Sequence, residues 1–132
     1  MSAELLIPAM LNHASITALI GTRLALHRLP QNTVMPACVY NVISDNPDPY
    51  INYQSGQQIT KARVQINALA LTVASVVSIH AAIRNLLDYK HNLTYSGIKV
   101  MSSRVDFKGP YEKDDETGIW TRPIDYILQY YE

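Results

Sequence analysis

Ile59-Thr-Lys-Ala-Arg-Val-Gln-Ile-Asn-Ala-Leu-Ala-Leu71 is the stretch that decides the fold. Val64, Ile66, Ala68 and Ala70 fall on one side of an alternating pattern, with Arg63, Gln65 and Asn67 opposite, as in a strand covered on one face. At Thr72, a residue suited to capping, the period changes. Val73, Val76, Ile79, Ile83, Leu86 and Leu87 then share a helical stripe to Leu87, while Ser78 and Asn85 face away. A one-sided strand running directly into a one-sided helix places that helix on a sheet.

Upstream, Ser2 is positioned to cap a helix from Ala3, whose stripe is Leu5, Leu6, Ala9 and Met10. Pro8 should bend this helix or delay its start. After a break near Asn12-His13, Ser15 opens a second helix through Ile20, and Gly21 fits a left-handed stop. Arg23 to Arg28 reads as a strand ended by Pro30. Ala37 to Ser44 carries apolar residues in both phases, which suits a central strand. Asp45–Gln58 is polar, holds Pro47, Pro49 and Gly56, and shows no clear period. Its fourteen residues exceed the usual connection in a compact domain, the mark of a functional loop or one disordered when free.

Downstream, the apolar phase changes within Ile98–Phe107, from Ile98 and Val100 to Val105 and Phe107, which predicts a bulge or a strand serving two surfaces. Gly109–Gly118 reads as an acidic hairpin loop. Ile119–Tyr131 forms the last strand, with Ile124, Tyr126, Leu128 and Tyr130 on one face. Pro123 lacks an N–H for the ladder, so that end should lie at an edge or a bulge. The expectation is a single α+β domain over residues 1–132: an antiparallel sheet of about five strands, with an N-terminal helix pair and one central helix packed on it.

Composition narrows the chemistry. Apolar residues make up 48% and charged ones 17%, as in a globular chain. Eleven basic and eleven acidic residues cancel, without the basic surplus that phosphate-backbone binding needs. The one cysteine, Cys38, excludes an intrachain disulfide and a Cys-based zinc site, and its apolar surroundings suit a buried thiol. No secretion signal is evident at the N-terminus. Ala68–Ile83, the most membrane-like run, includes Thr72, Ser75, Ser78 and His80 and is too short for a span.

His13, His27, His80 and His91 show no metal-binding spacing. His80 on the apolar stripe reads as a hydrogen-bonded core residue. The carboxylates near Asp45 and Asp114 lack the EF-hand pattern. No phosphate loop, dinucleotide glycine pattern or nucleophile elbow is present. The reading is therefore no catalytic residues, no metal and no cofactor. Aromatic usage leans towards tyrosine, nine against one Trp and one Phe, and Tyr50, Tyr53, Tyr95, Tyr111 and Tyr131 fall in loops or at strand ends. Tyrosine joins apolar area to a hydroxyl, which suits protein interfaces.

The joints between elements carry a resemblance. Leu19-Ile-Gly21-Thr-Arg23, Arg28-Leu-Pro30, Pro36-Ala-Cys-Val-Tyr40, Arg63-Val-Gln-Ile-Asn67 before the helix, and Asp115-Glu-Thr-Gly118 before an aromatic-rich strand occur in this order. Together, from about Leu5 to Tyr131, the chain resembles the tail-completion, or tail-terminator, family of long-tailed bacteriophages and prophages. That resemblance implies a non-enzymatic virion protein of the head–tail junction, assembled in the host cytoplasm. Such proteins form a ring, commonly six-fold, on the head-proximal end of the tail tube. They stop tube growth and present a surface to the head connector, while DNA passes through the lumen without specific binding.

The partners implied are further copies of the chain, the tail tube protein and the head–tail connector proteins, with no membrane. The candidate interface residues are Asp45, Asp48, Tyr50, Tyr53 and Gln57 in the first long loop, and Tyr111, Glu112, Asp114, Asp115 and Glu116 in the second. Loops that order on contact would delay ring closure until the tube end supplies a template. Two alternatives stay open. One is another neck component, such as a head-closure or connector part. The other is a small ferredoxin-like enzyme or ligand-binding domain, which needs polar side chains clustered on a sheet face, for example Arg104 with Asp106 and His27.

Overall fold

The computed structural model describes residues 3–47 and 58–131. Two short helices lead, α1 (Ala3–Met10) and α2 (Ala14–Ile20), with the chain turning by 91° between them. The expected capping of α1 by Ser2 lies outside the described residues. Pro8 stays inside α1, on its exposed side. His13 rather than Ser15 caps α2, its Nδ1 accepting the Ser15 N–H at 3.1 Å. Gly21 ends α2 at φ +61 and ψ −125, a region that disfavours a Cβ, so it stops the helix without taking the left-handed helical conformation.

The strands follow as β1 (Leu24–Leu26), β2 (Ala37–Pro47) and β3 (Ile59–Ala70). Helix α3 (Val73–Leu87) comes next, capped by the Thr72 hydroxyl. The chain ends with β4 (Lys90–Tyr95), β5 (Ile98–Lys108), β6 (Glu112–Lys113) and β7 (Trp120–Tyr131). The sheet order is β1-β2-β3-β7-β5-β4, with β6 also paired to β7. All pairings are antiparallel except β1 with β2.

The α+β class stands, and among the described residues the sheet has seven strands rather than about five. The two additions are β4 and β6. Strand β6 is two residues long, and β4 is an edge strand in which Asn92 takes φ +54, so neither shows a period. The parallel β1–β2 pair is also beyond the antiparallel expectation.

The alternation read from the sequence sorts the two sheet faces. Ala62, Val64, Ile66, Ala68 and Ala70 of β3, with Ile124, Tyr126, Leu128 and Tyr130 of β7, are buried on the side that carries the helices. Helix α3 lies over β3, β5 and β7, while α1 packs on β2 and β4 and α2 packs on α3. Helix α3 contributes Val76, Ile79, His80, Ile83 and Leu87 to this core.

The phase change in β5 is a pair of bulges against β7, between Val100 and Ser102 and between Val105 and Phe107. The first returns both Val100 and Val105 to the helix side. Pro123 is not at an edge: β7 is flanked by β3 on one side and by β5 and β6 on the other. Its carbonyl accepts from Gly109 N at 2.8 Å, in the joint where β5 ends and before β6 begins. An antiparallel residue points its N–H and C=O the same way. The missing donor of Pro123 therefore falls in this joint, where the ladder is already interrupted.

Candidate functional site

The helix-free face of the sheet is where the described polar side chains gather. Arg63 of β3 ties together carboxylates from two neighbouring strands: Nη1 donates to Asp125 Oδ2 of β7 at 3.1 Å, and Nη2 donates to Asp106 Oδ2 of β5. Gln65 Nε2 reaches the other Asp125 oxygen at 3.2 Å, and Arg104 Nη1 reaches Asp106 Oδ1 at 3.2 Å. Asp106 can bend back to Arg63 because it occupies the second β5 bulge. The hydrogen bond from Arg63 is the largest cause holding the Asp106 carboxyl below the usual carboxylate range; burial opposes it next, and the hydrogen bond from Arg104 adds a smaller lowering.

Register and alternation place Lys61, Arg63, Lys99 and Arg104 together at the end of this face where β7 finishes. Lys61 and Arg63 pair with Gln129 and Ile127, Arg104 also pairs with Ile127, and Lys99 lies over the Tyr131 ring at 5.8 Å. A hollow of about 240 Å³ is lined there by Ser44, Lys61, Arg63, Arg104 and Ile127, among others. The sequence placed Arg63 on this face, but the neighbours from β5 become visible only through the bulged register with β7. Arg104 and Asp106 do cluster, as a sheet-face site would require, whereas His27 pairs with Asn41 Oδ1 at 3.0 Å.

The opposite end of the face is acidic. Strand β6 shortens the expected Gly109–Gly118 loop to the turn between Lys113 and Trp120. Glu112, Asp114, Asp115 and Glu116 are exposed there. The turn is held by Asp114, whose N–H donates to Ile119 O at 3.0 Å and whose carbonyl accepts from Gly118 N at 2.7 Å, with Gly118 at φ +72. Lys113 lies over the Trp120 ring at 5.7 Å. Beside the turn a second hollow, about 270 Å³, is lined by Leu69, Glu112, Asp114 and Thr121, among others.

Of the candidate residues, Tyr111, Glu112, Asp114, Asp115 and Glu116 therefore fall at one end of the molecule. Tyr111 is packed by Arg122, whose guanidinium lies 4.5 Å from the ring centre and donates to the phenol oxygen at 3.0 Å. Asp45 is corrected from loop to strand: β2 continues to Pro47, and Asp45 faces the helix side, accepting from Tyr130 Oη at 3.3 Å. The added pairing of Asp45, Asn46 and Pro47 with β3 extends the hairpin beyond its apolar part, which the hydrophobic pattern could not register. Asp48, Tyr50, Tyr53 and Gln57 lie outside the described residues.

His80 is a core side chain, 4% exposed, whose Nε2–H donates to Arg122 O at 2.6 Å. Burial pushes its pKa down to about 4. Cys38 is buried, and burial raises its thiol to about 12. Among the described residues no three His, Cys, Asp or Glu side chains come together as a metal site. No single described helix is long and apolar enough to cross a membrane.

Taken together, the described residues define an α+β protein with a helix-covered face and a second face that is open, polar and oppositely charged at its two ends. The sequence profile of the family "Tail completion protein gp17" matches residues 4–112. The chain belongs to this family of bacteriophage tail structural proteins. A chain from the "Virion of native gene transfer agent (GTA) particle" has a similar fold, with a TM-score of 0.63 at 10% identity, covering 92% of this chain and 87% of that one. A second solved chain, 16% identical, superposes with a TM-score of 0.62 over 100% of this chain and 97% of its own. No functionally curated protein matches the sequence.

Proposed function

We propose that this protein caps the head-proximal end of the phage tail tube as a closed ring, commonly of six copies, ending tube polymerisation and offering the joining surface to the head connector. The observation that carries this reading is the tail-completion family match across residues 4–112. A related fold within a gene transfer agent virion is consistent with it. The protein acts without catalysis or cofactor, on the tail tube protein and the connector proteins. DNA passes through the ring without specific binding, a passage that the zero formal charge of the chain suits. It works at the head–tail junction of the virion after assembly in the host cytoplasm.

In this proposal a heterologous contact repeats around an axis and closes because the rotation between copies matches a ring. The exposed acidic turn, with Tyr111, Glu112, Asp114, Asp115 and Glu116, reaches a neighbouring subunit or the tube end. Asp45, Asp48, Tyr50, Tyr53 and Gln57 form a second contact region.

The test is electron microscopy of lysates from the parent phage or prophage with this gene deleted. Overlong tubes beside unattached, DNA-filled heads are expected. Normal-length tails beside separate heads would assign the protein to head–tail joining alone, and intact virions would remove the reading altogether.

A further inference from the structure

We infer that the open sheet face docks a second copy of this chain head to tail, the acidic turn after β6 of one copy seating against the basic end of the same face on the next. The inference rests on the ring reading and names the surfaces that would close the ring. Its basis is the distribution of charge along β7. At the Gln129 end of the open face lie Lys61, Arg63, Lys99 and Arg104, with Asp106 and Asp125 as the carboxylates among them. Arg63 is occupied by both carboxylates, and Arg104 by Asp106. Lys61 and Lys99 are exposed, and no carboxylate lies within ion-pair distance of either among the described residues. Among the described residues, the surplus charge facing solvent at this end is positive.

At the Trp120 end the sign reverses, with Glu112, Asp114, Asp115 and Glu116 against Lys113. Thr121, beside the acidic turn, and Ile127 to Gln129, beside the basic hollow, are separated along β7 by about 20–26 Å at roughly 3.3 Å per residue. The turn lies beyond Trp120, further still from the basic end. One rigid strand therefore keeps the two charge clusters apart within a copy, and they can meet only between copies. Where the two patches meet once between neighbours, the interface is heterologous, the type that generates rings. A face-to-face two-fold pair would make both contacts at once and stop at a dimer, so wild-type association that ends at the dimer would overturn the inference. Opposite charge at the two patches favours this order over head-to-head pairing, which would set like charges together.

The test uses the full chain in sedimentation velocity, with thermal melts to establish that each variant folds. Variant one carries Asp115→Lys and Glu116→Lys, so both ends of its open face are basic. Variant two carries Lys61→Glu and Lys99→Glu, so both ends are acidic. The wild-type chain should associate at low salt and dissociate as salt screens the contact. Each variant alone should associate at least about tenfold more weakly. An equimolar mixture should recover association, because each variant then finds its complement in the other.

Variants that associate as well as wild type would overturn the inference. So would a mixture that stays monomeric, or a wild-type chain that stays monomeric throughout. Capping is read separately, by tail length in deletion lysates complemented with each variant. Normal tails from both variants would sink this docking mode while leaving the ring reading in place. Intact virions with the gene absent would sink the ring reading itself.

Discussion

Tyr40 Oη donates a 2.8 Å hydrogen bond to the backbone carbonyl of Glu4, the carbonyl four residues ahead of Pro8. In an uninterrupted helix that carbonyl accepts the N–H of residue i+4, which proline lacks. The phenol of β2 supplies a donor where α1 has lost one, and pins the N-terminal helix to the sheet. Arg23 ties the next stretch down in the same way, donating from Nε to Pro36 O at 2.8 Å, while Cys38 N donates to Arg23 O at 2.9 Å. The family-like residues Arg23, Pro36, Cys38 and Tyr40 thus serve to fasten the start of the chain to β2.

Tyr40→Phe should lower stability by about 1 kcal/mol, because a part-buried carbonyl loses the phenol donor while the ring packing stays. The same change in a Pro8→Ala background should cost less, since the replacement restores an amide N–H for the Glu4 carbonyl. Urea unfolding of the four chains of this cycle measures the coupling, expected at about 0.5–1 kcal/mol. Strict additivity would show that the two residues do not serve the same carbonyl.

His80 gives the fold an acid limit. Its folded pKa, about 4, lies below the ordinary histidine value of 6.5 because burial disfavours the charged ring. Between these values the unfolded chain binds a proton that the folded chain does not. The contribution is therefore fully present above about pH 6.5 and is lost as pH falls towards 4. The full effect is on the order of 3 kcal/mol. His80→Gln should flatten the stability profile across that window, whatever it does to stability at neutral pH. Denaturation midpoints measured along the window decide it.

Cys38 should resist an aromatic disulfide reagent in the folded protein and react only after unfolding. Its thiol is buried and pushed up to about 12, so almost none is present as thiolate near neutral pH. Labelling followed by mass spectrometry, with and without denaturant, reads this directly. Rapid labelling of the native chain would mean that the β2 core opens locally.

What the sequence disclosed followed from how much apolar periodicity each element carries. Strand β3, helix α3 and strand β7 alternate or repeat over 12, 15 and 12 residues, and their buried faces were readable in advance. Strand β4 is interrupted by Asn92 at positive φ and is half exposed, so burial imprints no period on it. The acidic end of the open face was visible because Glu112, Asp114, Asp115 and Glu116 are neighbours in sequence. The basic end was not, because Lys61 and Arg63 meet Lys99 and Arg104 only through β7 and the β5 bulges.

Gly109 marks a place where a methyl group has no room. A Cβ there would sit 2.6 Å from Pro123 Cγ and 3.0 Å from the Pro123 carbonyl oxygen. Gly109→Ala should therefore destabilise by about 1–3 kcal/mol through overpacking. It should also disturb the turn from β5 to β6, and with it the placement of Glu112. Thermal unfolding tests the first effect. Association measured under conditions where the variant is fully folded tests the second, with weaker self-association expected.

The Arg63 bridge offers a separate test, because it joins three strands from one side chain. Arg63→Met should lower the urea midpoint at neutral pH: Asp125, 9% exposed, would keep Gln65 but lose its cation, and Asp106 would keep only Arg104. The Asp106 carboxyl is depressed in the folded state chiefly by its hydrogen bond from Arg63. A depressed folded pKa contributes stability above the unfolded value and loses it as pH falls. The gap between wild type and Arg63→Met should accordingly narrow from about pH 7 to about pH 3. Adding Asp125→Leu to Arg63→Met should recover part of the loss, since the uncompensated carboxylate goes with it. A gap independent of pH would assign the stabilising effect of Arg63 to packing of its aliphatic stem rather than to its charge.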